Sequence, residues 1–379
     1  MTPGAAGEAG AGAREAAGDG GANSSAGASA NSSAGADSSA GADSSAGANG
    51  EAGSGSVAAA PLPLGTFLYV RSVTADHDSL IARDFETGAE RVVTDLTGDG
   101  SDGWEIWGHT LSPDRQRIVL SSLFGPTKAD NATGIATRRL WSLATDGSDF
   151  RRLTPVFPNT GAGRTNFEIS VDSPAFTADG SGVLYDFGNW WWEGTTLQGG
   201  SFPWLAALNG DLPKSFPTIA SCSVINPAVN PATGEVLFIH SVCVSSADEG
   251  LFLYPKKGGT NPTLLVPRLT GSGHVDPSLE TASWAGDGSG FVFVGDVDVA
   301  SGRASALLAY DMASGDLSAL VVAEAGTRVQ SATLSADATR LVYCLAHDGV
   351  YDLHAIDLTL NKPVDAPITN DGKSCDPAF

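Results

Sequence analysis

The stretch TLSPDRQRIVL at residues 110–120 returns four times: AFTADGSGVLY (175–185), AVNPATGEVLF (228–238), SWAGDGSGFVF (283–293) and TLSADATRLVY (333–343). The five copies align without a gap, at spacings of 65, 53, 55 and 50 residues. Each has a small or apolar entry, a tight polar turn and an alternating run of β-branched, aliphatic or aromatic residues. That pattern predicts a β-hairpin whose turn residues supply the backbone angles that a reversal needs. A strand-built repeat near 50 residues long predicts a propeller with one blade per repeat.

Between the hairpins runs a second repeat, a strand, a short Gly/Asp/Asn turn and another strand. Its six copies are 80–97, 140–154, 204–218, 252–266, 307–321 and 353–369. Six outer pairs against five hairpins leave one hairpin to be found at the ends. The first repeat begins with its second strand, GTFLYV (65–70), and the chain closes on CDPAF (375–379), which matches ISVDSPAF (169–176) and stops before the turn. The expected fold is therefore all-β, a six-bladed propeller of four-stranded antiparallel blades, with the first blade closed by both termini.

SPDRQRIVL and TADGSGVLY, each followed by an apolar strand, the first ending in RRLT, resemble the TolB-type propeller repeat of bacterial periplasmic and surface proteins. The resemblance covers residues 64–379 and is specific for the repeat. It implies a scaffold or binding module and says little about chemistry, because such blades also serve hydrolases. Two copies depart from the pattern. Ala232 replaces the turn acid and Ala338 the turn glycine, which predicts weaker turns at both.

Residues 1–60 are almost wholly Ala, Gly, Ser, Asn, Asp and Glu, with Ala-(Asn/Asp)-Ser-Ser-Ala-Gly at 22–27, 30–35, 36–41 and 42–47. Nothing there offsets chain entropy by burial, so a disordered tether is expected over 1–60 and the propeller over 64–379. The net charge of the 379 residues is −22, of which −5 falls in the tether. An acidic surface repels phosphate backbones, which argues against nucleic-acid binding. No apolar segment follows Met1 and no run of 18 apolar residues occurs, so a membrane-spanning segment is not expected. The spacer resembles a lipoprotein stalk whose anchor would lie upstream. That points to the periplasm or cell surface; the alternative is a cytoplasmic protein with a disordered leader.

Cys222 and Cys243 lie symmetrically about the Pro231–Gly234 turn, on neighbouring strands, which suits a cross-strand disulfide. The other reading is two reduced core cysteines. Cys344 and Cys375 then pair by elimination.

Short turns join first to second and third to fourth strands. The long segments 121–138, 155–170, 187–203 and 267–280 fall on the other face, where function is expected. Period-two alternation puts Gly108, Ser173, Asn226, Thr281, Ser331 and Asp376 in one channel-lining column and Thr110, Ala175, Ala228, Ser283, Thr333 and Ala378 in a second. Leu111, Phe176, Val229, Trp284, Leu334 and Phe379 should pack between sheets. Ser173, Asn226, Thr281, Ser331 and Asp376 are the candidate ligand ring at the channel mouth. Trp190, Trp191 and Trp192, in the long loop of blade three, are a candidate stacking platform for a sugar or an apolar side chain, or a seal on the blade.

His77, His274 and His347, each with an acid nearby, are weak candidates for a divalent metal site, since no close pairwise spacing unites them. Asp99–Asp102 reads as a turn rather than a calcium loop. Gly161–Gly163 opens no nucleotide-binding unit, and no nucleophile motif occurs. No cofactor is expected. The leading reading is a non-enzymatic, monomeric, exported propeller that binds a protein, peptide or glycan at its long-loop face. The alternatives are a metal-assisted polysaccharide lyase or hydrolase using the His/Asp loops, and a purely structural surface protein.

Overall fold

The computed structural model of the chain describes residues 59–97, 105–123, 138–155, 165–193, 196–219, 221–268, 275–277, 282–300, 302–360 and 365–379. The expected tether, Asp99–Asp102, Gly161–Gly163, His274 and Thr281 lie outside these residues, apart from the last two positions of the tether.

Six antiparallel sheets follow one another as the blades of a propeller. From channel to rim, blade two is Gly108–Leu111, Arg117–Ser122, Arg139–Ala144 and Arg151–Arg152. Blade three is Thr165–Phe176, Gly182–Glu193, Thr196–Ala207 and Lys214–Ser215. Blade four is Ser223–Val229, Val236–Ser241, Gly250–Tyr254 and Thr263–Pro267. In blade five the inner strand is interrupted, with Val275–Pro277 and Ser283–Trp284 both pairing with Gly290–Val299, followed by Gly302–Asp311 and Leu317–Val322. Blade six is Thr327–Leu334, Arg340–His347, Val350–Asp357 and Asp365–Pro367.

Blade one takes its inner strand, Ser374–Ala378, from the far end of the chain and then Thr66–Thr74, His77–Asp84 and Glu90–Thr97. Arg71 faces Ser374, Val70 faces Cys375 and Leu68 faces Ala378. This is the closure that the split hairpin predicted. Phe379 is half-buried, its ring 5.6 Å from that of Phe67 and 6.5 Å from that of Phe85.

Alternation along the strands sends apolar side chains into the gaps between blades. Among the described residues one apolar cluster fills each gap between neighbours. Val119 and Leu140 of blade two, for example, meet Val171, Phe176, Val183 and Tyr185 of blade three. Burying each such side chain contributes roughly 1.5–3 kcal/mol. Leu111, Phe176, Trp284 and Leu334 are buried as their column requires.

The hairpin turns owe their acid to a cap. Ser112, Thr177 and Ser335 each donate a hydroxyl to the acid two residues on, Asp114, Asp179 or Asp337, at 2.6–2.7 Å. Each acid also accepts a backbone N–H, from Gln116, Ser181 or Thr339. These hydrogen bonds, the hydroxyl ones foremost, hold the Asp179 carboxyl down to about 2. In blade four the cap has moved rather than vanished: Asn230 Oδ1 accepts from Ala232 N and Thr233 N at 2.9 and 3.1 Å. Ala338 takes the glycine's left-handed backbone, with φ of 54°.

Segment 187–203 is not a loop. The second and third strands of blade three run twelve residues each and stay paired from Gly182–Ala207 to Glu193–Thr196, so Trp190, Trp191 and Trp192 sit on a strand. Gly199 permits this: opposite Trp190, with φ of 104°, it occupies a position where a Cβ would lie 1.9 Å from Asn189 O.

Candidate functional site

Ser173, Asn226 and Asp376 each precede a proline and adopt φ of 52, 55 and 53°. Proline disfavours the right-handed helical region for the residue before it. The ladder slips beside each of them, between Asp172 and Ala175, between Ile225 and Ala228, and between Leu68 and Val70 opposite Cys375 and Ala378. These are β-bulges on three inner strands, which re-aim the side chains they carry. A non-glycine residue in the left-handed region costs about 1–2 kcal/mol, so the surrounding fold must hold each one.

The inner strands of all six blades line a central cavity of about 450 Å³, with Gly108, Ser173, Asn226, Ser331 and Asp376 on its wall. It reaches the hairpin turns at Ser112, Thr177, Pro231 and Ala336, on the face opposite the long segments where function was expected. Four of the five expected ring residues therefore converge, and Thr281 lies outside the described residues. Hydroxyl and amide groups pass hydrogen bonds from blade to blade around this wall. Ser173 Oγ donates to Asn226 Oδ1 at 2.8 Å, Leu334 N to Ser283 Oγ at 3.0 Å and Phe379 N to Thr333 Oγ1 at 3.2 Å.

Behind the ring stand residues that the repeat alignment did not single out. Asp186, on the second strand of blade three, is 5 % exposed and aligns with Val70, Ser121, Ile239, Val294 and Cys344 of the other blades. Its Oδ2 accepts the Asn226 N–H at 2.8 Å, while Oδ1 is buried without a hydrogen-bond partner. Burial, with the charge of Asp172 adding to it, pushes the Asp186 carboxyl well above the usual carboxylate range. Asp172, its partner across the ladder, is ion-paired with Arg138, whose Nη1 reaches both carboxylate oxygens at 2.9 and 3.1 Å. Arg138 also lies over the Trp107 ring, 3.5 Å from its centre. His109 borders the cavity with both ring nitrogens buried, and desolvation pushes its imidazole down to about 4. The signal for Asp186 was an acid in a column of mostly apolar residues; Arg138 had none, since the acid it pairs with, Asp172, comes from the neighbouring blade.

The remaining candidates stay apart from this site. Trp190 and Trp191 are half-buried, and Trp191 Nε1 donates to Glu193 at 3.2 Å. Of the metal candidates, His77 lies 3.4 Å from Asp95, while His347 bonds Gly326 O at 2.9 Å and lies 3.4 Å from Asp348. Among the described residues neither enters a group of three metal-binding donors. Both disulfides form as expected: Cys222–Cys243 within blade four and Cys344–Cys375 between blades six and one. No described helix is long and apolar enough to cross a membrane.

No family model and no curated protein matches the chain. Among solved structures it is similar to TolB from Acinetobacter baumannii, at 15 % identity and a TM-score of 0.59, over 83 % of this chain and 66 % of that one. The chain thus spans just under two thirds of the TolB chain's length. It is also similar to a chain in a nidogen/laminin complex, at 10 % identity and a TM-score of 0.54, over 83 % and 98 % of the two. At these identities the likeness shows a TolB-like propeller fold and nothing further.

Proposed function

We propose that the chain is a non-enzymatic binding propeller that takes a protein or peptide ligand in its central channel, at the ring of Ser173, Asn226, Ser331 and Asp376. The observation that carries this reading is the set of left-handed residues Ser173, Asn226 and Asp376, held on bulges at the wall of a 450 Å³ cavity. Strained backbone and convergent polar groups gather where ligands bind. The ring is rich in acceptors, and the net charge of −22 favours a ligand offering a basic or hydrogen-bond-donating group. A glycan is the competing ligand class.

Two disulfides support an oxidising compartment, periplasm or cell surface. Residues 1–60 would act as the tether, and protein trimmed by limited proteolysis to about residue 60 should bind unchanged. To test the reading, full-length protein and a Ser173→Ala/Asn226→Ala/Asp376→Ala variant are used to capture partners from envelope extract. Capture by the wild type and its loss in a variant with unchanged circular dichroism supports the channel ring. Equal capture by both rejects it. The lyase or hydrolase alternative would require metal-dependent turnover of polysaccharide that fails when His77 and His347 are replaced.

A further inference from the structure

Blade four carries a histidine in a strand that is otherwise apolar up to its final serine, Val236–Ser241. His240 is 1 % exposed, stacks on Phe252 with ring centres 3.9 Å apart, and has Nε2 2.8 Å from the Tyr254 hydroxyl. Its Nδ1 is buried without a hydrogen-bond partner, a state that native proteins seldom leave unexplained. Two sulfurs lie close to the ring, and the Asp248 main-chain carbonyl also bears on it. One donor atom each from Cys222, His240 and Cys243 lies within 4.8 Å of the others, the only such group of three among the described residues. The Asp248 carbonyl borders the same space, 3.3 Å from Cys243 Sγ and 3.8 Å from Cys222 Sγ.

We propose that Cys222, Cys243 and His240 form a redox-gated zinc site, closed as a disulfide when oxidised and holding one zinc ion once a dithiol has reduced the bridge. In the reduction the S–S bond breaks, two electrons and two protons pass from the dithiol to the sulfurs, and the dithiol leaves as a disulfide. Zinc then displaces the two thiol protons to solvent and bonds two thiolates and His240 Nδ1. Thiolate and imidazole donors together select zinc among the common divalent ions, and three protein ligands leave a fourth position open. Tyr254 supplies what a ligating histidine needs behind it, an acceptor for the other ring N–H that fixes the tautomer.

The surrounding loop suits a gate. Val242, between His240 and Cys243 in sequence, is a β-branched residue with φ of 51° and is 70 % exposed, and Val244 is 90 % exposed. Such backbone persists only while its ends are held, and either the disulfide or the metal would hold them. Cys344–Cys375 offers the contrast. Among the described residues no histidine or carboxylate completes a third donor there, so that pair serves closure alone.

The test uses full-length protein reduced by a phosphine under argon, freed of reductant and given zinc chloride. The expected result is one zinc per chain in the reduced wild type and none in the oxidised protein or in reduced Cys222→Ser/Cys243→Ser. His240→Gln should weaken binding at least about ten-fold. X-ray absorption at the zinc edge, which needs no variant, should show two sulfurs at about 2.3 Å and one nitrogen near about 2.0 Å. Reduced protein that keeps its strand signal yet takes no zinc, an oxygen-only shell, equal binding by His240→Gln, or unfolding on reduction with zinc present would each overturn the proposal.

Discussion

Asp186 in blade three and Cys344 in blade six occupy the same position of their repeats, fifth in the second strand and facing the inner strand of the next blade. Cys344 bonds covalently to Cys375 of blade one. Asp186 accepts one hydrogen bond from the Asn226 N–H of blade four and leaves its second oxygen buried and unpartnered. The other blades put Val70, Ser121, Ile239 and Val294 at this joint. A disulfide strengthens the joint at every pH for as long as it stays oxidised; a desolvated carboxylate weakens it wherever the carboxyl must ionise. The chain is thus covalently locked where its ends meet and gives up stability beside the cavity, where a Val or Ile would have packed. Departures from the optimum of this kind concentrate at functional sites.

The largest effect should come from removing the blade-six joint altogether. Deleting residues 374–379 takes away an inner strand, a disulfide and the Phe379 ring, and should cost more than the about 5 kcal/mol at the upper end for one native disulfide. A melting temperature equal to that of the full chain would show that the ends do not hold the ring. Cys344→Ser/Cys375→Ser keeps the strand and should cost about 2–5 kcal/mol in chemical denaturation. A smaller loss would mean that ladder hydrogen bonds and packing hold the closure without the bridge.

At the blade-three joint the prediction has the opposite sign. Because the folded state keeps Asp186 protonated to well above the usual carboxylate range, folding takes up a proton that the unfolded chain releases above about pH 4. Its contribution therefore falls as pH rises from about 4 towards the folded value. Asp186→Asn removes that dependence and should raise stability at pH 7 by about 1–3 kcal/mol. Thermal melts at pH 4 and pH 7 decide it: a gain equal at both pH values, or a loss at pH 7, would refute the strain assigned here. The smallest effect lies in the turns, away from both joints. Ala338→Gly should stabilise by about 1 kcal/mol, since the left-handed turn position disfavours alanine. No change would mean that the turn relaxes around the methyl group.

The ring was legible because turn acids and alternating strands repeat in register, and because CDPAF could be matched to ISVDSPAF without knowing the structure. The channel column was legible for the same reason, through Ser173, Asn226, Ser331 and Asp376. The strand through Trp190–Trp192 was misread, since neighbouring glycines that signal a loop also let two backbones approach closely in a ribbon. Asp186 was readable only by comparing one column across all blades, and Arg138 not at all, since Asp172 reaches it through inter-blade packing, which leaves no spacing in the sequence. His240 was passed over although its neighbours Cys222, Cys243 and Tyr254 belong to its own blade, because a lone histidine in an apolar strand reads as core.

Closure by residues 374–378 also sets a clock on synthesis. Thr66–Thr74 leaves the ribosome about 300 residues before its inner partner, a wait of roughly 15–60 s at about 5–20 residues per second. Throughout that interval Phe67, Leu68, Tyr69 and Val70, all fully buried in the finished ring, lie on an edge that carries a single charge, Arg71. Whatever the mature protein binds, the nascent one must be kept from pairing with its neighbours until that last strand arrives.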